Sequence, residues 1–133
     1  MKFVRFLALV LCVMLLTACG GGDVSEVGRQ VGEPTLFSEQ EVDQAMDEVV
    51  KFFRAEFDGC KLLNLRYNEE KTLKEAAAWS EQSGAEVIVL ESDFYVDDSG
   101  RSVTLEPETT YYNYNWILTR TLFGWELKTW GYG

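Results

Sequence analysis

The chain contains no histidine. That removes Ser-His-Asp and Cys-His nucleophilic systems together with histidine-ligated zinc. Cations are scarce as well, 12 Lys and Arg against 22 Asp and Glu, for a formal charge of −10. A surface so acidic repels nucleic acid and anionic headgroups, so no nucleic-acid partner is expected. No GxSxG, P-loop or dinucleotide fingerprint occurs, and the run Gly20-Gly21-Gly22 precedes no helical pattern. Glu91, Asp93, Asp97 and Asp98 cluster, but without calcium-loop spacing or a closing bidentate glutamate, so a solvated turn is expected there. Metal and cofactor are therefore both expected to be none, and no catalytic residue is assigned. Paired carboxylates carry no signal among 22 acids. Neither an internal repeat nor a low-complexity block is present.

What is there begins at the N-terminus. Lys2 and Arg5 form a short basic region, and Phe6–Leu15 is an apolar run too short to span a bilayer permanently. The following Leu16-Thr17-Ala18-Cys19 resembles the lipobox of bacterial lipoproteins. In those proteins the cysteine sulfur receives a diacylglycerol, and cleavage leaves it as the first mature residue. The resemblance implies a signal peptide over 1–18, lipidation of Cys19, and a flexible tether over 19–34. Losing Lys2 and Arg5 leaves ten cations against the 22 acids, a mature charge of −12. With no basic patch to help, attachment to the membrane must come from the acyl chains. Cys12 leaves with the signal and Cys19 is acylated, so Cys60 has no partner within the chain. It is expected to be a small buried apolar side chain. The Gly-rich, polar stretch up to Pro34 shows no periodicity, and fifteen extended residues reach on the order of 50 Å.

Residues 35–133 then form one domain, large enough for a core without disulfides. Ser38 and Glu41 make a capping box, with Phe37 and Val42 at the hydrophobic-staple positions around it. Val42, Met46, Val49, Val50, Phe53 and Phe57 recur at helical spacing until Asp58-Gly59 ends the helix. Lys61–Tyr67 alternates as a strand, with Leu63, Leu65 and Tyr67 on one side. Glu69–Gln82 is a second helix with a thin apolar stripe. Val87–Val96 is a strand burying Ile88, Leu90, Phe94 and Val96, and Asp97-Asp98-Ser99-Gly100 is a turn. Val103–Glu108 is a short edge segment.

The last quarter, Tyr111–Gly133, reads as an aromatic hairpin holding three of the four tryptophans and four of the six tyrosines. By strand parity Tyr112, Tyr114, Trp116, Leu118 and Arg120 share one face, and Trp125 and Leu127 meet them there. A two-residue loop at Phe123-Gly124 pairs Arg120 with Leu127; a four-residue loop pairs Arg120 with Trp125 and Leu118 with Leu127. Trp130 falls on the opposite face. Arg120 either snorkels to water or stands at the mouth of a pocket. Helices gathered on one side of an antiparallel sheet of about four strands make an α+β fold.

The chain further resembles a family of small uncharacterised bacterial proteins, many of them lipoproteins. The matching stretches are Leu36-Phe37-Ser38, Gly59-Cys60-Lys61-Leu62 with Leu65 and Tyr67, Val87-Ile88-Val89-Leu90, Asp93-Phe94-Tyr95-Val96, Trp116-Ile117-Leu118 with Arg120, Trp125, and the closing Trp130-Gly131-Tyr132. That resemblance implies the curved-sheet cone of nuclear transport factor 2, ketosteroid isomerase and SnoaL-like cyclases. It brings no activity with it. Enzymes of that cone often set an Asp or His base beside a Tyr donor, and here Asp93 falls by parity on the outward side of its strand.

The expectation is thus a lipid-anchored, extracytoplasmic envelope protein of unknown activity, binding a small ligand or a protein. Tyr112, Tyr114, Trp116 and Arg120 would line a pocket for a small acidic ligand, and Trp130 and Tyr132 would anchor an envelope-protein partner. A cone enzyme using Tyr and Asp in acid–base roles is the alternative.

Overall fold

Ser38 opens the main helix as the sequence predicts. Its hydroxyl accepts from the Glu41 amide at 3.1 Å, and the Glu41 carboxylate accepts from the Ser38 amide at 3.1 Å. In this computed structural model, which describes residues 21–132, the elements run β1 (Gly28–Gln30), α1 (Glu39–Glu56), β2 (Cys60–Tyr67), α2 (Glu69–Ser83), β3 (Val87–Val96), β4 (Thr109–Thr121) and β5 (Gly124–Gly131). The five strands form one sheet in chain order. β1 runs parallel to β2 and every other pair is antiparallel, so the sheet is mixed and has one strand more than expected. Val103–Glu108 forms no strand.

The two helices cover opposite faces of the sheet rather than one. Leu90 pairs with Trp116 and, next along, Glu91 pairs with Asn115, so the two pairs point to opposite sides. Phe52 and Phe53 of α1 meet Trp116, whereas Lys71 of α2 reaches Glu91 and Asn115 at 3.1 and 3.0 Å. α1 buries Val42, Ala45, Met46, Val49, Val50 and Phe53 on Leu62, Leu65, Ile88, Leu90, Phe94 and Trp116. This stripe follows the 3.6-residue period, which is why the helix can lay one continuous face on the sheet. The Thr72 hydroxyl of α2 accepts from the Val89 amide at 3.0 Å, satisfying a group that β2 is too short to reach.

Three β-bulges reset strand parity, because one extra residue sends all that follow to the other face. The first, at Leu63, lets both Leu62 and Leu65 face the core and leaves Leu63 exposed, against the expected Leu63, Leu65 and Tyr67 side. The second lies between the pairs Ser92–Tyr114 and Phe94–Tyr111, where Asn113 takes φ 56° and donates its amide to Asp93 Oδ1 at 3.0 Å. It turns Tyr111 inward onto Phe94 and Tyr112 outward, so Tyr112 is 62% exposed rather than part of the core. The third sits at Lys128, and it places Trp130 opposite Trp116 on the α1 side, not on the far face.

Residues 21–32, within the stretch expected to be a tether, are built into the domain. The Asp23 amide donates to the Cys60 carbonyl at 2.8 Å and its own carbonyl accepts from Leu62 at 2.9 Å. β1 then pairs with Asn64–Arg66, and Val24, Val27 and Val31 pack on the core. Arg29 clamps the segment to α1 through Asp43 at 2.7 Å and Asp47 at 2.8 Å.

Candidate functional site

The expected pocket of Tyr112, Tyr114, Trp116 and Arg120 does not assemble. Trp116 is fully buried, with its indole Nε1 donating to Ser92 Oγ at 2.8 Å. Tyr112 and Arg120 lie toward opposite ends of β4, about 26 Å apart at the usual strand rise. Arg120 does stand by the hairpin end, but carboxylates of the protein itself surround it. It bonds Glu41, places Nε 2.8 Å from Glu86 Oε2, and stacks over Trp125 at 4.6 Å. That hydrogen bond, reinforced by the Ser38 amide, pulls the Glu41 carboxyl down to about 2. Arg120 is thus a structural cation linking the first turn of α1 to the hairpin. Cys19 lies outside the described residues.

Of the sequence candidates, the structure brings together Tyr114, Trp116, Trp130 and Tyr132, with the Trp116 ring 5.5 Å from Tyr114 and 6.4 Å from Trp130. Tyr132 lies 5.6 Å from Tyr114 between ring centres, and Trp130 lies 4.6 Å from Phe52. Burial, and then Tyr132 and Tyr111 beside it, push the Tyr114 hydroxyl above its ordinary value. Trp130, 43% exposed, separates two open clefts. One, of about 410 Å³, lies between α2 and the end of the sheet; Lys71 and Lys74 edge it, Val89 and Ile117 floor it, and Trp130 and Tyr132 close it. The other, of about 500 Å³, lies beside the end of α1, with Phe52, Phe57, Tyr114 and Leu105 in its wall. In the first, the Lys71 ammonium is held by Glu91, which also accepts from Asn68.

Asp93 faces away from α1, as its parity predicts, and serves as a bulge anchor. Burial pushes its carboxyl up, but Arg66 at 3.0 Å, the Asn113 amide and Asn64 outweigh it and bring it below its ordinary value. A carboxylate held ionised by these three partners is a poor proton acceptor. Cys60 is buried and free, and burial raises its thiol, which makes it a weak nucleophile. Among the described residues no group of three His, Cys, Asp or Glu could hold a metal ion, and no helix is long and apolar enough to cross a membrane.

The most unusual surface is one that hairpin parity did not single out. β4 and β5 join through Leu122 and Phe123, which are 98% and 100% exposed. The register is that of the four-residue loop, Arg120 opposite Trp125 and Leu118 opposite Leu127, closed by Thr121 opposite Gly124. The turn is made by its flanks. Thr121 Oγ1 accepts from the Phe123 amide at 3.2 Å and donates to the Gly124 carbonyl at 3.1 Å, while Gly124 supplies φ 128°. Nothing in this chemistry uses the side chains of Leu122 and Phe123. Their apolar character in a position where Asn, Asp, Ser or Gly is usual was the available signal. No family model, no curated protein and no solved structure matches the chain.

Proposed function

We propose that this is a lipid-anchored lipoprotein of the bacterial cell envelope that works as a protein-interaction module, offering its β4–β5 tip to a partner protein. The anchor rests on Leu16-Thr17-Ala18-Cys19. The observation that carries the interaction is the full exposure of Leu122 and Phe123 on a turn that does not need them. An aliphatic and an aromatic side chain on a two-stranded stem suit an apolar pocket. Each would contribute about 1.5–3 kcal/mol on full burial. A photo-crosslinking residue at Phe123, expressed in intact cells, should give a discrete protein adduct that Leu122→Ser weakens. The same residue at exposed Lys51 should give none. No adduct at Phe123, or equal adducts at both positions, rejects the interaction. Metabolic labelling with a clickable fatty acid tests the anchor, and Cys19→Ser should abolish the label.

One observation favours a small-ligand role beside it. The 410 Å³ cleft sets two ammonium groups, Lys71 and Lys74, over an apolar floor with Trp130 and Tyr132 alongside. Lys74 is only loosely paired, 3.5 Å from Glu70 with both side chains exposed, so it is free to meet a small acidic ligand. Thermal-shift screening of dicarboxylates against wild type and Lys74→Ala tests this; a ligand stabilising both equally is not held there.

A further inference from the structure

The first described residues lie on the end of α1 with no room for side chains. The Gly22 amide donates to the Arg54 carbonyl at 3.0 Å. A Cβ on Gly22 would stand 2.5 Å from the Phe53 carbonyl oxygen and 2.7 Å from its Cδ1, and one on Gly21, at φ 108°, would overlap the Arg54 carbonyl. Only glycine allows this approach. Gly20 alone separates Gly21 from Cys19. Two trans peptide units span at most about 7.6 Å between Cα atoms, so the covalent link from a lipid on Cys19 to Gly21 is short.

We infer that the bilayer lies against the pole of the domain formed by the end of α1 and the 97–105 loop. The domain is then held flush with the membrane, and Leu122 and Phe123 are turned away from it. The inference rests on the lipid anchoring proposed for Cys19. The two parts of this pole form one surface, because a Cβ on Gly59 would stand 3.1 Å from the Ser102 amide nitrogen and 3.3 Å from Arg101 Cβ. Val103 projects from it, 91% exposed, as an apolar contact for the headgroup region. Arg54 and Arg101 share the pole with Glu56, Asp58, Asp97 and Asp98, so charge does not draw it to anionic lipid. The short covalent link does what charge cannot. At the other pole the Trp125 indole donates to the Glu41 carbonyl in the first turn of α1, which sets the hairpin end there. The 18 residues of α1 separate these poles by about 27 Å.

The test uses the mature lipidated protein in phosphatidylcholine vesicles containing a nitroxide-headgroup lipid, with acylation checked by the mass of the N-terminal peptide. In a Cys60→Ser background, a fluorophore is carried at Val103→Cys or at Phe123→Cys. Quenching should be several-fold stronger at position 103. Inserting about twelve Gly and Ser residues before Gly21, about 20 Å of flexible chain, should reduce it to the level at 123. Equal weak quenching on an acylated protein overturns the flush geometry and leaves the anchor standing. Stronger quenching at 123 overturns the orientation. A protein without the acyl group removes the anchor and this inference with it.

Discussion

Trp116 and Ser92 share a hydrogen bond of 2.8 Å in the interior, with both side chains wholly shielded from water. A buried indole N–H without a partner is costly, so the largest fully buried side chain is oriented by one serine. Ser92→Ala should cost about 1–3 kcal/mol, the price of stranding that donor. Urea denaturation of Ser92→Ala, Trp116→Phe and the double variant measures the coupling. Strict additivity would show that the bond contributes nothing.

Gly22 decides whether residues 21–32 stay on the domain. Gly22→Val drives a Cβ into Phe53 and should cost about 1–3 kcal/mol, the usual range for overpacking. Release of the segment would open the Arg29 ion pairs to Asp43 and Asp47. Trypsin should therefore cut after Arg29 faster in the variant than in the wild type. Equal cleavage would mean that β1 pairing alone retains the segment.

Glu41 makes stability fall in acid. Its folded value of about 2 is below the ordinary 4.5, first through the Arg120 hydrogen bond and then through the Ser38 amide. The unfolded chain then binds more protons between these values. The contribution is whole above 4.5 and is lost as pH falls toward 2. Asp97, held low by the Ser99 hydroxyl and amide, acts in the same direction. Urea midpoints should decline from about pH 5 to about pH 2.5. In Arg120→Met the Glu41 carboxyl, followed by carbon NMR, should titrate nearer its ordinary value; no change would assign the shift to the helix cap alone.

Leu122→Ser and Phe123→Ser should each leave stability within about 0.5 kcal/mol of wild type, because neither side chain is packed. Thermal unfolding of the two variants checks this. A loss above about 1 kcal/mol at either position would show that the tip is part of the core and not a surface for a partner.

α1 was legible nearly to the residue, since its cap and its stripe are encoded within a few turns of one helix. The limits of β3 were legible too, as were Trp116, Leu118 and Trp125 as core, whereas the pairing of Arg120 with Trp125 was one of two registers that the hairpin sequence left open. Each follows from a local period, 3.6 or 2, that the neighbours in sequence repeat. Tyr112 and Trp130 were misplaced because that period breaks at Asn113 and Lys128. A bulge depends on the strand across from it, and here on Asp93, twenty positions away. The place of Arg120 depended on Glu41, 79 positions earlier, so no local pattern could supply its partner.

Composition and local spacing were sufficient to determine an acidic α+β domain with an aromatic core and a capped helix. Tertiary structure alone decided that α1 and α2 take opposite faces and that a Gly-rich polar stretch joins the sheet beside β2. The physical reason is that β1 is held by backbone hydrogen bonds to β2 and by the close approach of Gly21 and Gly22 to α1, and neither leaves a hydrophobic period in the sequence.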